Sequence, residues 1–271
     1  MKRFLLTSSL MCTVLATGAA RADDAALKAA IADSQRTPAN VARDAYRHPY
    51  ETLSFFGIQP TMTVVELSPG GGWYTEILAP YLHDQGKLIT AGSDPKSDDE
   101  DTRRDAGLFQ DKLDSKPAVY GKVQKAVFTV PTRVTFAGRG SVDMVLTFRN
   151  IHNWIDIGGD DATQKVFASA YAALKPGGVF GIVEHRLPAS LFQNENASTG
   201  YVHQDYVIKM AQSVGFKLAG TSEINANPKD NANHKGGVWA LPPSYKNGDE
   251  DRAIYRDIGE SDRMTLKFVK P

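Results

Sequence analysis

Thr63-Val64-Val65-Glu66-Leu67-Ser68-Pro69-Gly70-Gly71-Gly72-Trp73-Tyr74-Thr75 is the stretch on which the fold of this chain turns. Its first five residues are β-branched or apolar apart from one acid, which is strand character. Three glycines follow a proline, and residues 74–82 then read as a helix. Glycine accepts backbone conformations that side chains resist, and it lets main chain come close to a ligand. In an open α/β sheet ligands bind beyond the carboxyl ends of the strands, so a glycine turn placed directly after a strand is a candidate binding loop.

The same alternation continues on both sides. Residues 87–91, 125–130, 142–148 and 179–184 are further β-rich runs, and 216–221 and 264–269 close the series. Residues 98–113, 163–174 and 201–214 have helical patterning, the second ended by Lys175-Pro176-Gly177-Gly178. Pro49 opens a helix through Leu53, Phe55 and Phe56 that Gly57 stops. Strands that are apolar on both faces and alternate with helices imply a mostly parallel sheet covered on each side. Residues 225–262 are polar and rich in Pro, Gly and Asn, too long for a plain connection, so they form an excursion over the surface or a lid.

Met1-Lys2-Arg3, an apolar run from Phe4, and Ala20-Arg21-Ala22 together have the form of a cleavable export signal. The apolar run is shorter than the roughly 20 residues a membrane span needs. The expected organisation is a signal peptide over 1–22, a helical extension over 23–62, and an α/β domain over 63–271 carrying the 225–262 excursion. The expected location is periplasmic or secreted. Lys and Arg number 31, as do Asp and Glu; loss of Lys2, Arg3 and Arg21 leaves 28 basic against 31 acidic residues. So balanced a chain has no electrostatic footprint for nucleic acid, and a small molecule is the expected partner. Cys12, the one cysteine, leaves with the signal, which excludes disulfides, thiolate nucleophiles and cysteine-bound zinc from the mature chain.

The acid-x-small-x-Gly-x-Gly arrangement of Glu66, Ser68, Gly70 and Gly72 resembles the first motif of the class I S-adenosylmethionine-dependent methyltransferases, with serine where the first glycine is usual. Asp143-Met144-Val145, the Lys175-Pro176-Gly177-Gly178 turn and the last β-rich segment are similar to further parts of that fold. More narrowly, Arg47-His48-Pro49, Phe55-Phe56-Gly57, Pro69 to Tyr74 and Arg149-Asn150-Ile151-His152-Asn153-Trp154 resemble a family of exported bacterial methyltransferases. The resemblance covers residues 49–271. It implies a Rossmann-like sandwich, its mostly parallel seven-stranded sheet ending in an antiparallel last strand, with helices on both faces. It also implies S-adenosylmethionine as cofactor, held by Glu66, Ser68, Pro69, Gly70, Gly71, Gly72, Trp73 and Tyr74. Ser93 occupies the slot where an acid for the ribose hydroxyls is expected, and Asp94 stands one residue out of register. Val130-Pro131-Thr132-Arg133 supplies no acid for an adenine.

Methyl transfer needs alignment above all, and sometimes a base. The six residues 149–154 follow an apolar strand and are dense in polar and aromatic groups. His152, Asn150 and Trp154 are the catalytic candidates there, with His185 as a second base in Glu184-His185-Arg186. Arg149 and Arg186 could hold an anionic substrate group through paired donors, and Tyr201 and His203 could lid the cleft. The structural alternatives are a helix cap at Asn150, a surface salt bridge at Arg186, and a helix after Tyr201 that packs outward. Among the six histidines no metal-ligand spacing occurs; His152, His185 and His203 could meet only in three dimensions, and no metal is expected. No G-x-S-x-G elbow is present. Two other functions stay open: a nicotinamide-linked oxidoreductase, which would place Thr75 in a glycine slot, and a non-catalytic exported ligand-binding protein that kept the fold.

Overall fold

Residues 63–67 do form a strand, and it lies in the middle of the sheet. The computed structural model describes the backbone of residues 16–271 and the side chains from Asp24 onward; the signal segment expected over 1–22 lies outside the residues described in full. In chain order the elements are α1 (Ala16–Ala32), α2 (Pro38–Val41), α3 (Asp44–Arg47), α4 (Pro49–Phe56), β1 (Thr63–Leu67), α5 (Thr75–Leu82), β2 (Lys87–Gly92), α6 (Glu100–Ser115), α7 (Pro117–Tyr120) and β3 (Gln124–Val127). They continue with β4 (Val142–Phe148), α8 (Ile151–Ala173), β5 (Leu174–Leu187), β6 (Val202–His203), α9 (Gln204–Ser213), β7 (Lys217–Ser222), a 3-10 turn (Gly237–Ala240), α10 (Arg252–Ile258) and β8 (Arg263–Val269).

The strand order is β3-β2-β1-β4-β5-β8-β7, with the two-residue β6 beside β5. From β3 to β5 every pairing is parallel. β8 runs antiparallel to both β5 and β7. The expected seven-stranded, mostly parallel sheet with an antiparallel last strand is therefore the sheet observed.

Alternate side chains of each inner strand feed two separate apolar layers, as a period of two requires. Val65, Leu67 and Val145 face the layer that α8 and α9 cover, with Phe167, Ala170 and Val207. Val64, Met144 and Leu146 face the layer that α1, α4 and α5 cover, with Leu27, Leu53 and Ile77. α4 follows its expected bounds, and Gly57 closes it at φ 81°. α8 departs from expectation: helix begins at Ile151 rather than near 163, and Gly158 and Gly159 break it into two pieces. The glycine pair interrupts the period and leaves the first piece too short for a helical repeat to show.

The excursion expected over 225–262 is fastened down by its own polar residues. Asn225 Nδ2 donates to Thr52 Oγ1 and Thr265 Oγ1 at 3.0 and 2.9 Å. Asn227 Nδ2 donates to the carbonyls of Ile258 and Glu260. Asp230, buried, accepts from Tyr201, His234 and the amides of Ala232 and Asp262. No helix among the described residues is long and apolar enough to cross a membrane.

Candidate functional site

The order of the strands reverses between β1 and β4, and an open α/β sheet leaves a crevice at the carboxyl ends of such a pair. Two turns meet there. Ser68 follows β1 and Arg149 follows β4, and both sit in the left-handed region, at φ 47° and 63°. A non-glycine residue pays of order 1 kcal/mol for that conformation. Backbone bonds hold both: Ser68 N donates to Ala91 O and Arg149 N to Val183 O, each at 2.7 Å. Asn150 then ties one turn to the other, its Nδ2 donating to Leu67 O at 3.0 Å and to Thr147 Oγ1 at 3.1 Å.

The crevice has two arms. The larger, about 830 Å³, runs over β1, β2 and β3 and includes Thr90, Gly92, Ser93 and Phe128. The smaller, about 240 Å³, lies between β1, β4 and the N-terminal helices and includes Asn40, Arg43, Arg47 and Arg149. Ser68, Pro69, Gly70, Gly71 and Asn150 line both arms, so the glycine turn is the elbow. A side chain built at Gly70 or Gly71 would meet no atom within 4 Å, so backbone is what the crevice sees. Gly72 serves another purpose: at φ 75° its Cβ would strike Lys112 and Phe109, so it lets α6 pack against the turn.

Glu66 is the penultimate residue of β1, below the elbow. It is buried and accepts from Thr75 Oγ1 at 2.6 Å. Burial, opposed by Thr75 and by the more distant Lys112 and Arg149, pushes its carboxyl up to about 8, so it is mainly protonated at neutral pH. Trp73 and Tyr74 line the smaller arm. Trp73 Nε1 donates to Asn40 O at 2.9 Å, and Tyr74 stacks on Phe148.

Four guanidinium groups gather behind that arm. Arg43, Arg47 and Arg263 all bond to the buried Glu260, at 2.5, 3.1 and 3.1 Å. Burial raises the carboxyl of Glu260, and Arg47, Arg263 and Arg43 overcome that and hold it down at about 2. Arg149 is the fourth; its Nη1 is buried with no hydrogen-bond partner among the described residues. Burial lowers the pKa of Arg149, and Arg263 adds to the effect.

His152 and His185 come together, but away from the lining of either arm. Glu184, fully buried at the end of β5, accepts from Ile151 N at 2.6 Å, His152 Nδ1 at 2.9 Å and His185 N at 2.9 Å. A carboxylate accepts, so the nitrogen of His152 that faces Glu184, Nδ1, carries a proton. His185 Nδ1 meets Ser261 Oγ at 2.5 Å. Burial first, then His152 and the arginines, hold His185 well below the usual histidine range and leave it neutral. His152, Glu184 and His185 each offer a metal-ligand atom within 4.8 Å of the others, but an ion there would have to displace the bonds that fill Glu184. His203 stays out of the cluster because its ring bonds Leu191 O.

Other expected site residues are placed elsewhere. Trp154 turns into the core against Phe128 and Phe167, 1% exposed, because position 154 lies on the inward face of the first turn of α8. Arg186 spends its donors on Glu223 and Asp262, the salt-bridge alternative. Tyr201 is buried on Asp230. Ser93 lines the larger arm, whereas Asp94 bonds the amide of Lys96 and faces Arg133 at 3.8 Å. Asn40, Arg43, Arg47, Glu260 and Arg263 were not foreseen as a group. The only local signal is the pair of arginines at 43 and 47, one helical turn apart, and the acid that gathers them lies 213 residues beyond Arg47.

No protein-family model and no curated protein sequence matches the chain. Solved structures do share its fold. An S-adenosylmethionine-dependent methyltransferase from Aquifex aeolicus superposes with a TM-score of 0.52 at 15% identity, over 74% of this chain and 93% of that one. The glycopeptide N-methyltransferase MtfA gives 0.51 at 15% identity, over 87% and 100%. The cyclase SpnF gives 0.57 at 10% identity, over 94% and 95%. The chain therefore has the Rossmann-like fold of these methyltransferases. A cyclase among the neighbours shows that the fold by itself does not choose the reaction.

Proposed function

We propose that this chain is an exported methyltransferase that uses S-adenosylmethionine to methylate a small molecule. One observation carries the reading: a continuous two-armed crevice bends around a glycine turn whose Gly70 and Gly71 present bare backbone. The larger arm lies within the range of small-molecule sites and suits a nucleoside, with Ser93 and Thr90 as polar contacts and Phe128 as an apolar wall. The smaller arm, with Asn40 and Arg47, suits the amino-acid end of such a donor. Bound there, S-adenosylmethionine supplies an electrophilic methyl group. The residues of this chain contribute alignment: Asn150 fixes the distance between the turns after β1 and β4, and Arg149 projects from the second. Glu184 orients the ring of His152 through Nδ1. The sequence pattern of residues 1–22 supports export.

Calorimetry with S-adenosylmethionine and its demethylated product tests the donor. Micromolar binding is expected, and Gly71→Val, whose side chain would enter the crevice, should weaken it by about tenfold or more with the melting temperature preserved. Equal affinity in that variant would reject the site. Fractionation and N-terminal sequencing test export, with Asp23 expected as the first residue of the mature chain.

A non-catalytic ligand-binding role is the second reading. It is favoured by His152 and His185 standing outside the lining of both arms, with Trp239 edge-on to His152. Donor binding without label transfer to any extract of small molecules would select it.

A further inference from the structure

We infer that the methyl acceptor carries a carboxylate or phosphate group, and that Arg149 in the smaller arm of the crevice is the residue that meets it. This rests on the donor reading above. The argument is one of charge. Arg43, Arg47, Arg149 and Arg263 share the space around a single buried anion, Glu260. Glu66, the acid in the lining of the smaller arm, is mainly protonated at neutral pH and offers no second counter-charge there, and Glu184 is taken up by Ile151, His152 and His185. Guanidinium does not discharge itself by losing a proton, as lysine can, so the surplus cations need anions from outside.

The donor cannot supply them. Its amino-acid end brings one carboxylate and one ammonium, and its sulfonium adds a further positive charge. With the donor in place the arm is more cationic than before. The balance falls to the other molecule the reaction requires.

Arg149 is singled out within the group. Arg43, Arg47 and Arg263 each have Glu260; Arg149 Nη1 is buried with no acceptor among the described residues. A buried donor of that kind costs about 1–3 kcal/mol, more for a charged group, until something accepts from it. It is also held ready: its backbone is pinned to Val183 O, in a left-handed conformation, on the β4 side of the elbow. The nucleoside arm extends the opposite way, over β2 and β3. The planar fork of guanidinium matches the two oxygens of a carboxylate or phosphate.

The test uses the full chain saturated with the demethylated donor product, titrated by calorimetry with inorganic phosphate and, separately, with succinate. At least one should bind the complex, and the stronger of the two identifies the anion type. Arg149→Gln should weaken that binding by about tenfold or more, a larger loss than the same change causes in product affinity, and Arg149→Lys should retain an intermediate affinity. Melting temperatures of both variants separate lost contact from lost fold. Binding of neither probe, or unchanged binding in Arg149→Gln, overturns the inference. Mutual exclusion of probe and product also overturns it, because the arm then holds only the tail of the donor. If the probe binds through Arg149 and the product does not bind at all, the donor reading fails and the assignment to an acceptor fails with it.

Discussion

Single residues at the elbow carry consequences that can be measured one at a time. Glu66 keeps a proton in the folded chain that it gives up when unfolded, where its value returns to the ordinary carboxyl range near 4.5. Between that range and about 8 the folded state binds more protons than the unfolded one, so stability falls as pH rises and levels off above. Glu66→Gln removes the slope and still accepts from Thr75. Its melting temperature should match the parent near pH 4 and exceed it at pH 9, by a margin equivalent to on the order of 1 kcal/mol or more. Trp154 makes the opposite kind of claim. Trp154→Ala should cost about 3–5 kcal/mol in urea unfolding, as large-to-small changes in a core do. Trp154→Phe should leave donor binding within about twofold, since Trp154 does not line the crevice itself and touches its wall only through Phe128, a contact another aromatic ring can keep.

Elements divide into those whose role is visible locally and those whose role is not. The inner strands announced themselves because their side chains are apolar on both faces, and α4 because Pro49 and Gly57 punctuate it at both ends. The glycine turn was legible for the same reason: Gly70 and Gly71 do their work through backbone, which leaves a mark in composition. The arginine group left no such mark. Arg43 and Arg47 belong to short turns near the start, Arg149 follows β4, and Glu260 and Arg263 flank the entry to β8; only tertiary structure unites them. His152 was legible as a residue but not as a location, because the break at Gly158 and Gly159 concealed the helical turn that carries it. Glu260→Gln tests the group as an element-level clamp. It strips the anion from three arginines and should destabilise by about 3–5 kcal/mol in urea unfolding. The parent should lose the same contribution on acidification toward about 2, the value to which these arginines hold Glu260.

At the scale of the whole molecule, the N-terminal extension and the sheet are one unit. Arg43 and Arg47 reach Glu260, Arg263 Nη2 donates to Tyr46 O, and Thr37 and Lys112 share Glu76. α1 packs in the same apolar layer as β1 and β4, through Leu27 and Ala30. A chain truncated to begin at Thr63 would expose that layer and leave Glu260 with Arg263 alone. It should show a broad, low-cooperativity melt and no donor binding, read by circular dichroism and calorimetry.

β8 enters the sheet between β5 and β7, although it follows both in the sequence. Its leading residues also close the wall that Arg43 and Arg47 begin. During folding the smaller arm therefore lacks one side until β8 has joined the sheet, so the arginines that line it gather only when the two ends of the described chain meet.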